Sequence, residues 1–276
     1  MNSRTCVLAL LTLAPFAAYA AEQNFTKTIS LRDRLDLAIV SGAGNIQISQ
    51  GPAGRLRITG HVKANDWHAT DDRIRDIAAS PPIRQSGSIV RIGSTEELTH
   101  VIIDYEIEAP ADSIVQASAD SGDILDDGVG LDARFNTGSG SIRASGLQGA
   151  INVSTHEGDI EVEQIGQGEV KAISYTGNLD LRNLHGAVRA ATGGGNITIS
   201  GVPLGDWSVQ TERGDIELAL GNSPCTIDAR AGGGQVRSGL RVEGADTSDL
   251  RHLAGNINGG GRRVIVQTGQ GQISIR

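Results

Sequence analysis

Cysteine is nearly absent from this chain of 276 residues. There are two, and Cys6 falls in an N-terminal stretch that reads as a secretory signal, which leaves Cys225 alone in the mature protein. One thiol excludes an internal disulfide and a thiolate-built zinc centre, so stability has to come from packing. Aromatic residues are scarce too, with two Trp, three Tyr and three Phe against thirty-seven Gly. That balance excludes a thick globular core and suits a thin stack of tight turns. Basic charge is in deficit, with 24 Lys and Arg against 32 Asp and Glu, which argues against nucleic acid or anionic lipid as partner. A long apolar run is missing as well. Val7 to Ala18 is too short to span a bilayer, and no later segment is apolar enough to do so. With Arg4 before it and Ala18-Tyr19-Ala20 after it, this run makes residues 1–20 a signal peptide. Cys6 precedes the run, where a lipobox cysteine would follow it. The expectation is a soluble exported protein, in a bacterial periplasm before the cell surface or the medium.

What is present is a repeated phrase: glycine, a small polar residue, a branched apolar residue. It occurs as Gly44-Asn45-Ile46, Gly122-Asp123-Ile124, Gly140-Ser141-Ile142, Gly158-Asp159-Ile160 and Gly177-Asn178-Leu179. It continues as Gly195-Asn196-Ile197, Gly214-Asp215-Ile216, Gly234-Gln235-Val236 and Gly271-Gln272-Ile273. From Gly122 to Gly234 the steps are 18, 18, 19, 18, 19 and 20 residues. A fixed period of this length marks a solenoid, whose single coils cannot bury an apolar face alone.

A second strand precedes each glycine. Its inward positions alternate strictly, as in Val115, Ala117, Ala119 or Ile151, Val153, Thr155, which is the period of a half-buried strand. Three residues before the glycine stands only Ala, Ser or Thr, which implies a narrow corner. Each coil therefore reads as strand, glycine turn, strand and a loose corner. The turn Asp or Asn is expected to bond its local backbone. Ile160, Leu181, Ile199 and Ile216 should point inward, and Glu161, Asp180 and Glu217 outward. Arg143 beside Glu161, and Glu217 beside Arg237, would pair charges on adjacent coils.

The fold class is all-β: a single-stranded parallel β-solenoid, β-helix-like, with an irregular N-terminal cap. The boundaries are 21–111 for the cap and first coils and 112–276 for the regular repeats. Within the cap, Thr70 to Ile77 predicts a short capped helix ended by Pro81-Pro82. Gly87-Ser88-Ile89 reads as a further coil turn, and Val101 to Ala109 as an edge-like strand closed by Pro110. Trp67 is expected to seal the cap and Trp207 to lie in the core. Gly239 to Gly261 reads as a loop replacing one coil.

These features resemble the exported bacterial β-repeat family known as putative adhesins, a domain of unknown function. The resemblance rests on the serial phrase exemplified by Thr155-His156-Glu157-Gly158-Asp159-Ile160-Glu161-Val162. It rests also on Tyr105-Glu106-Ile107-Glu108-Ala109-Pro110, and on the glycine-rich loop before the closing Gly271-Gln272-Ile273-Ser274-Ile275. It covers nearly the whole mature chain. It implies a β-solenoid in a surface or envelope setting, and the family pattern supplies no catalytic residue.

Candidate chemistry is thin. Asp120, Asp123, Asp126 and Asp127 bring four carboxylates within eight residues, the composition of a calcium site or of a polyuronate lyase. Against that, Asp123 holds the slot that Asn178, Asn196 and Asp215 hold in other coils, which makes it a turn residue. His61, His68, His100, His156 and His185 show no clustered ligand spacing and read as solvated. Gly193-Gly194-Gly195 and Gly232-Gly233-Gly234 lack the lysine and the helix of a phosphate loop. Cys225 reads as a buried, inert thiol. The expectation is a non-enzymatic exported scaffold with no catalytic, cofactor or metal residues and no cofactor, binding an envelope protein or glycan. A carbohydrate-active lyase or hydrolase on a β-helix is the alternative. A third is an assembly subunit, because Ile273-Ser274-Ile275-Arg276 leaves the last coil uncapped and open to a homo-oligomer stacked end to end.

Overall fold

The computed structural model describes residues 22–93, 100–246 and 248–276, so the signal segment lies outside the described residues. The described chain forms two sheets of twelve strands each and one helix. At a strand spacing of about 4.8 Å, twelve strands extend on the order of 50 Å. A typical coil places Ala150–Glu157 in one sheet, turns at Gly158 and places Ile160–Gln164 in the other. Its neighbours pair with it in parallel and in register, Val153 with Phe135 and Ala172, Ile160 with Ile142 and Leu179. The fold is the parallel solenoid that the period predicts.

The interior is built by the alternating positions of both strands. Val115, Phe135, Val153, Ala172, Ala190 and Val209 are buried from one side, and Ile160, Leu181, Ile199 and Ile216 from the other. Glu161, Asp180 and Glu217 point outward and are half-buried. Burying side chains of this size stabilises by roughly 1.5–3 kcal/mol each, and stacking is what lets a thin coil reach that burial.

Two polar ladders explain the corner composition. The buried hydroxyls of Thr137, Thr155, Thr192, Thr211 and Thr268 each donate to the turn-glycine carbonyl of the neighbouring coil at 2.9–3.0 Å. An apolar residue there makes no such bond. Beside it, the turn side chain does not bond its own backbone, as local turn chemistry predicts, but the amide of the next coil. Asp123 accepts from Ser141 N at 2.8 Å, Asp159 from Asn178 N at 2.7 Å and Asn196 from Asp215 N at 2.9 Å. The glycine itself is required chiefly by close approach. A Cβ on Gly195, whose φ is not in the left-handed region, would stand 2.1 Å from the Gly177 carbonyl oxygen.

Stacking follows chain order only from Ile114–Ser121 to Ile216–Ala219. At the N-terminal end, the coil of Asp36–Ala43 and Ile46–Gln50 lies directly on that of Ile114–Ser121. Outside it comes Val101–Ala109, parallel to Ile46–Gln50 on one side and antiparallel to Arg55–Ala64 on the other, so it is an inner strand and not an edge. Glu22–Ser30 closes that sheet and Ile83–Ser86 closes the other, both antiparallel. Gly87-Ser88 is the two-residue loop of the hairpin Ile83–Ser86/Ile89–Ile92, not a coil turn, because Gly87 at φ 62° suits a tight reversal. The helix spans Asp71–Ala79 with Thr70 as its N-cap, accepting from Arg73 N at 3.3 Å. Trp67 is 86% exposed and seals nothing.

At the C-terminal end, Arg262–Gln270 and Ile273–Ile275 insert against Trp207–Arg213 and Ile216–Ala219. The coil of Cys225–Ala231 and Val236–Ser238 lies outside them. Glu217 therefore does not meet Arg237; Ser274 stands between them, and Glu217 pairs instead with Arg276 at 2.6 Å. Ile273–Ile275 is not an uncapped end, since it is paired on both sides. The segment read as a loop contributes His252–Ile257, antiparallel on Cys225–Ala231, and Leu240, Val242 and Leu253 pack onto the core there.

Candidate functional site

The four aspartates of 120–127 diverge. Asp120 and Asp123 are exposed, Asp127 faces out and accepts from Ser145 Oγ at 3.1 Å, and Asp126 points into the interior. Alternation along Ile124–Asp127 forces this split, because adjacent strand residues face opposite sides. Asp123 and Asp159 each hold a neighbouring coil's amide, so both occupy the turn ladder.

Asp126 is the residue that sequence reasoning missed as distinct. It occupies the inward column of Ile48, Ala144, Val162 and Leu181. One carboxyl oxygen accepts from Val129 N at 2.9 Å, and the other has no partner among the described residues. Burial pushes its pKa up to about 8, so the folded protein carries it protonated at neutral pH. Its parity, two residues after the inward Ile124, was the available signal.

Trp207 is core, its Nε1 donating to Gly186 O at 2.9 Å. Cys225 is buried, and burial pushes its thiol pKa up, away from reactivity. His156 is exposed and stacks on Tyr175 with ring centroids 4.8 Å apart. His61 lies beside Asn24 and Glu106, and His185 is half-buried at a coil corner. His68 and His100, separate in sequence, meet at Asp66.

The surface that remains is the pair of outer sheet faces, and they differ. On the face carrying Glu161, three cations are neutralised in place, Arg143 by Glu161 at 2.6 Å, Arg182 by Asp180 and Arg276 by Glu217, while Arg237 meets the Gln235 amide oxygen. The Arg143 guanidinium holds the Glu161 carboxyl below the usual carboxylate range. On the opposite face, Gln116, Arg134, Asn152, Lys171 and Arg189 occupy one outward column of successive coils. None of these three cations is in an ion pair among the described residues. Asp132 and Glu169 stand beside this column, and with Gln116, Arg134, Asn152 and Lys171 they line a shallow groove of about 390 Å³, which Arg189 lies outside. The groove follows the stack, and Ile114, Val115, Ala133 and Ile151 line it beside the polar side chains.

The family model described as Toastrack DUF4097 matches residues 36–276. No curated protein matches the chain. Among solved structures it is similar to a "putative adhesin" from Bacteroides fragilis, at 13% identity with a TM-score of 0.38 over 92% of this chain and 97% of that one. A "putative cell adhesion protein" from Clostridium sporogenes is similar at 16% identity with a TM-score of 0.30, over 92% and 99% of the two chains. A "putative adhesin" from Parabacteroides distasonis is similar at 9% identity with a TM-score of 0.38, over 92% and 97%.

Proposed function

Because the chain belongs to the Toastrack DUF4097 family, we propose that it is a non-catalytic, exported β-solenoid that presents a binding face to the cell envelope. The unpaired outward column of Gln116, Arg134, Asn152, Lys171 and Arg189 carries this reading. Many of the other repeated polar positions are spent on joining coils or on neutralising one another. Cations left without partners at the spacing of a repeat suit an extended ligand with its own repeat, bearing carboxylates or hydroxyls in series. An acidic or polyhydroxylated envelope glycan has that chemistry. The chain as a whole is acidic, so the attraction is local to this column and weakens with salt. Export rests on the N-terminal signal reading, and the periplasm is the compartment it fits best.

The test is retention of envelope glycan fractions by the purified protein and by the triple variant Arg134→Ala/Lys171→Ala/Arg189→Ala. Retention that falls at least about tenfold in the variant, with circular dichroism unchanged, supports the reading. Equal retention by both proteins, or glycan cleavage by either, would overturn it.

A further inference from the structure

Where the strands Arg55–Ala64 and Val101–Ala109 end, their last pair is Ala64 with Val101. Asn65 N donates to His100 O at 2.8 Å and extends the pairing by one step. His100 takes the left-handed conformation there, at φ 70°, and its ring turns back over Asp66. Asp66 Oδ1 accepts from His68 N at 2.8 Å, which folds the chain so that the His68 ring returns to the same carboxylate. As a result, His100 Nδ1 lies 2.6 Å from Asp66 Oδ2, and His68 Nδ1 lies 3.3 Å from Asp66 Oδ1. One ligand atom from each of the three residues falls within 4.8 Å of the other two. The two imidazole centroids are 4.9 Å apart, and Trp67 lies against His68 at 3.5 Å.

We propose that Asp66, His68 and His100 form a surface site for a divalent first-row transition ion of the zinc and copper class. Two imidazoles and one carboxylate are the donors that such ions take, whereas calcium and magnesium take oxygen alone. Ligand bonds of about 2.0–2.2 Å in a tetrahedron hold ligand atoms roughly 3.4 Å apart. The spacing of His68 Nδ1 and Asp66 Oδ1 is already there, while His100 Nδ1 meets the other oxygen, Oδ2, and has to turn toward the same ion from within 4.8 Å. Three protein ligands leave the fourth position open to solvent or to a donor from another molecule. The ion would also tie the turn before the helix Asp71–Ala79 to the strand end at His100. Among the described residues, no other set of three or more His, Cys, Asp or Glu converges in this way.

Zinc titration of the mature protein by calorimetry tests this. The expected result is one equivalent bound, with Kd on the order of 10 μM or tighter, and no matching signal with calcium. His68→Ala and His100→Asn should each weaken binding at least about tenfold. Asn tolerates the left-handed backbone at 100, so that variant keeps its fold. His156→Ala should bind as the parent does. Cupric ion should quench the exposed Trp67 far more than the buried Trp207, which a Trp67→Phe variant distinguishes. No saturable zinc binding below about 100 μM, or equal affinity in the parent and in the His68→Ala/His100→Asn double variant, would overturn the site.

Discussion

The middle of the solenoid and its two ends use the same local phrase and stack by different rules. From Ile114 to Ala219 each coil lies on its neighbours in the chain, 18 or 19 residues away. At the ends the order is permuted: Gly214 meets Gly271 and not Gly234, and the coil of Gly44 meets that of Gly122 after a long excursion. The difference separates two kinds of information. The glycine phrase and the alternation specify what one coil looks like. Which coil lies against which is decided by contacts that any copy of the phrase could offer, and by the antiparallel strands that close each end. Three of the four sheet edges are of this second kind, Glu22–Ser30 and Ile83–Ser86 at one end and His252–Ile257 at the other, and the fourth is Val236–Ser238, parallel to Ile273–Ile275. At those three edges antiparallel closure ends the parallel stack without offering a further parallel slot for another coil.

The largest contrast concerns the middle, where both strands of a coil are clamped by neighbours. Ile199→Asp places an ionisable group among Leu181, Leu218 and their columns, with no partner to receive it. The expected loss exceeds about 4 kcal/mol, enough to abolish folding. One residue earlier, Thr198 faces outward between Asp180 and Glu217, and Thr198→Lys should change stability by under about 1 kcal/mol. Urea denaturation followed by circular dichroism separates the two. Equal tolerance would mean that the inward register is misassigned.

That register, with the helix and the buried Trp207, was legible in the sequence because period-2 alternation and a helix cap are local signals. Stacking order was not, since Gly234-Gln235-Val236 and Gly271-Gln272-Ile273 are the same phrase. The inner position of Val101–Ala109 is hidden for a like reason, its partners lying some forty to sixty residues upstream. The same antiparallel pairing unites His68 and His100, which are 32 residues apart in sequence, so no spacing rule could have joined them. Asp126 is different. Its inward parity was readable, but it stood in a run of aspartates that share the look of turn residues.

Asp126 lies in the first coil of the regular region and tests whether that junction tolerates charge. Its unfolded pKa is near 3.9 and its folded pKa about 8. Between these values the folded state holds a proton that the unfolded state has lost, so stability is fully present below about pH 4 and falls as pH rises toward 8. The slope is about 1.4 kcal/mol per pH unit at its steepest, on the order of 2 kcal/mol across pH 6–8. Asp126→Asn keeps the acceptor for Val129 N and removes the titration. Denaturant midpoints should fall over that range in the parent, relative to the variant, and the two curves should cross so that the variant is the more stable at pH 9. Parallel curves would place the Asp126 carboxyl in contact with water.

The smallest effect bears on why the last coil inserts where it does. Thr268 donates its hydroxyl to Gly214 O at 2.9 Å, and the coil it displaces carries Ala231 at the same column. Had Cys225–Ala231 stacked on Trp207–Arg213, the Gly214 carbonyl would lack that donor. Thr268 would then face Gly234 O instead, so the ladder keeps as many bonds in either order, and the bond to Gly214 O is worth about 1 kcal/mol to the closing coil. Thr268→Val should cost that amount, and so should Thr192→Val in the regular region, where the same bond reaches Gly177 O at 3.0 Å. The order itself can be read by cysteine pairs on the outer face. Glu217→Cys with Ser274→Cys should oxidise to an internal disulfide, because these residues are direct partners on adjacent parallel strands. Glu217→Cys with Arg237→Cys should not, because Ser274 stands between them. If Thr268→Val costs nothing while Thr192→Val costs the expected amount, the Thr268 hydroxyl adds nothing to the hold on the closing coil. That hold would then rest on the packing of Val264 and Val266 against Trp207 and Val209, which the cysteine pairs would still report as intact.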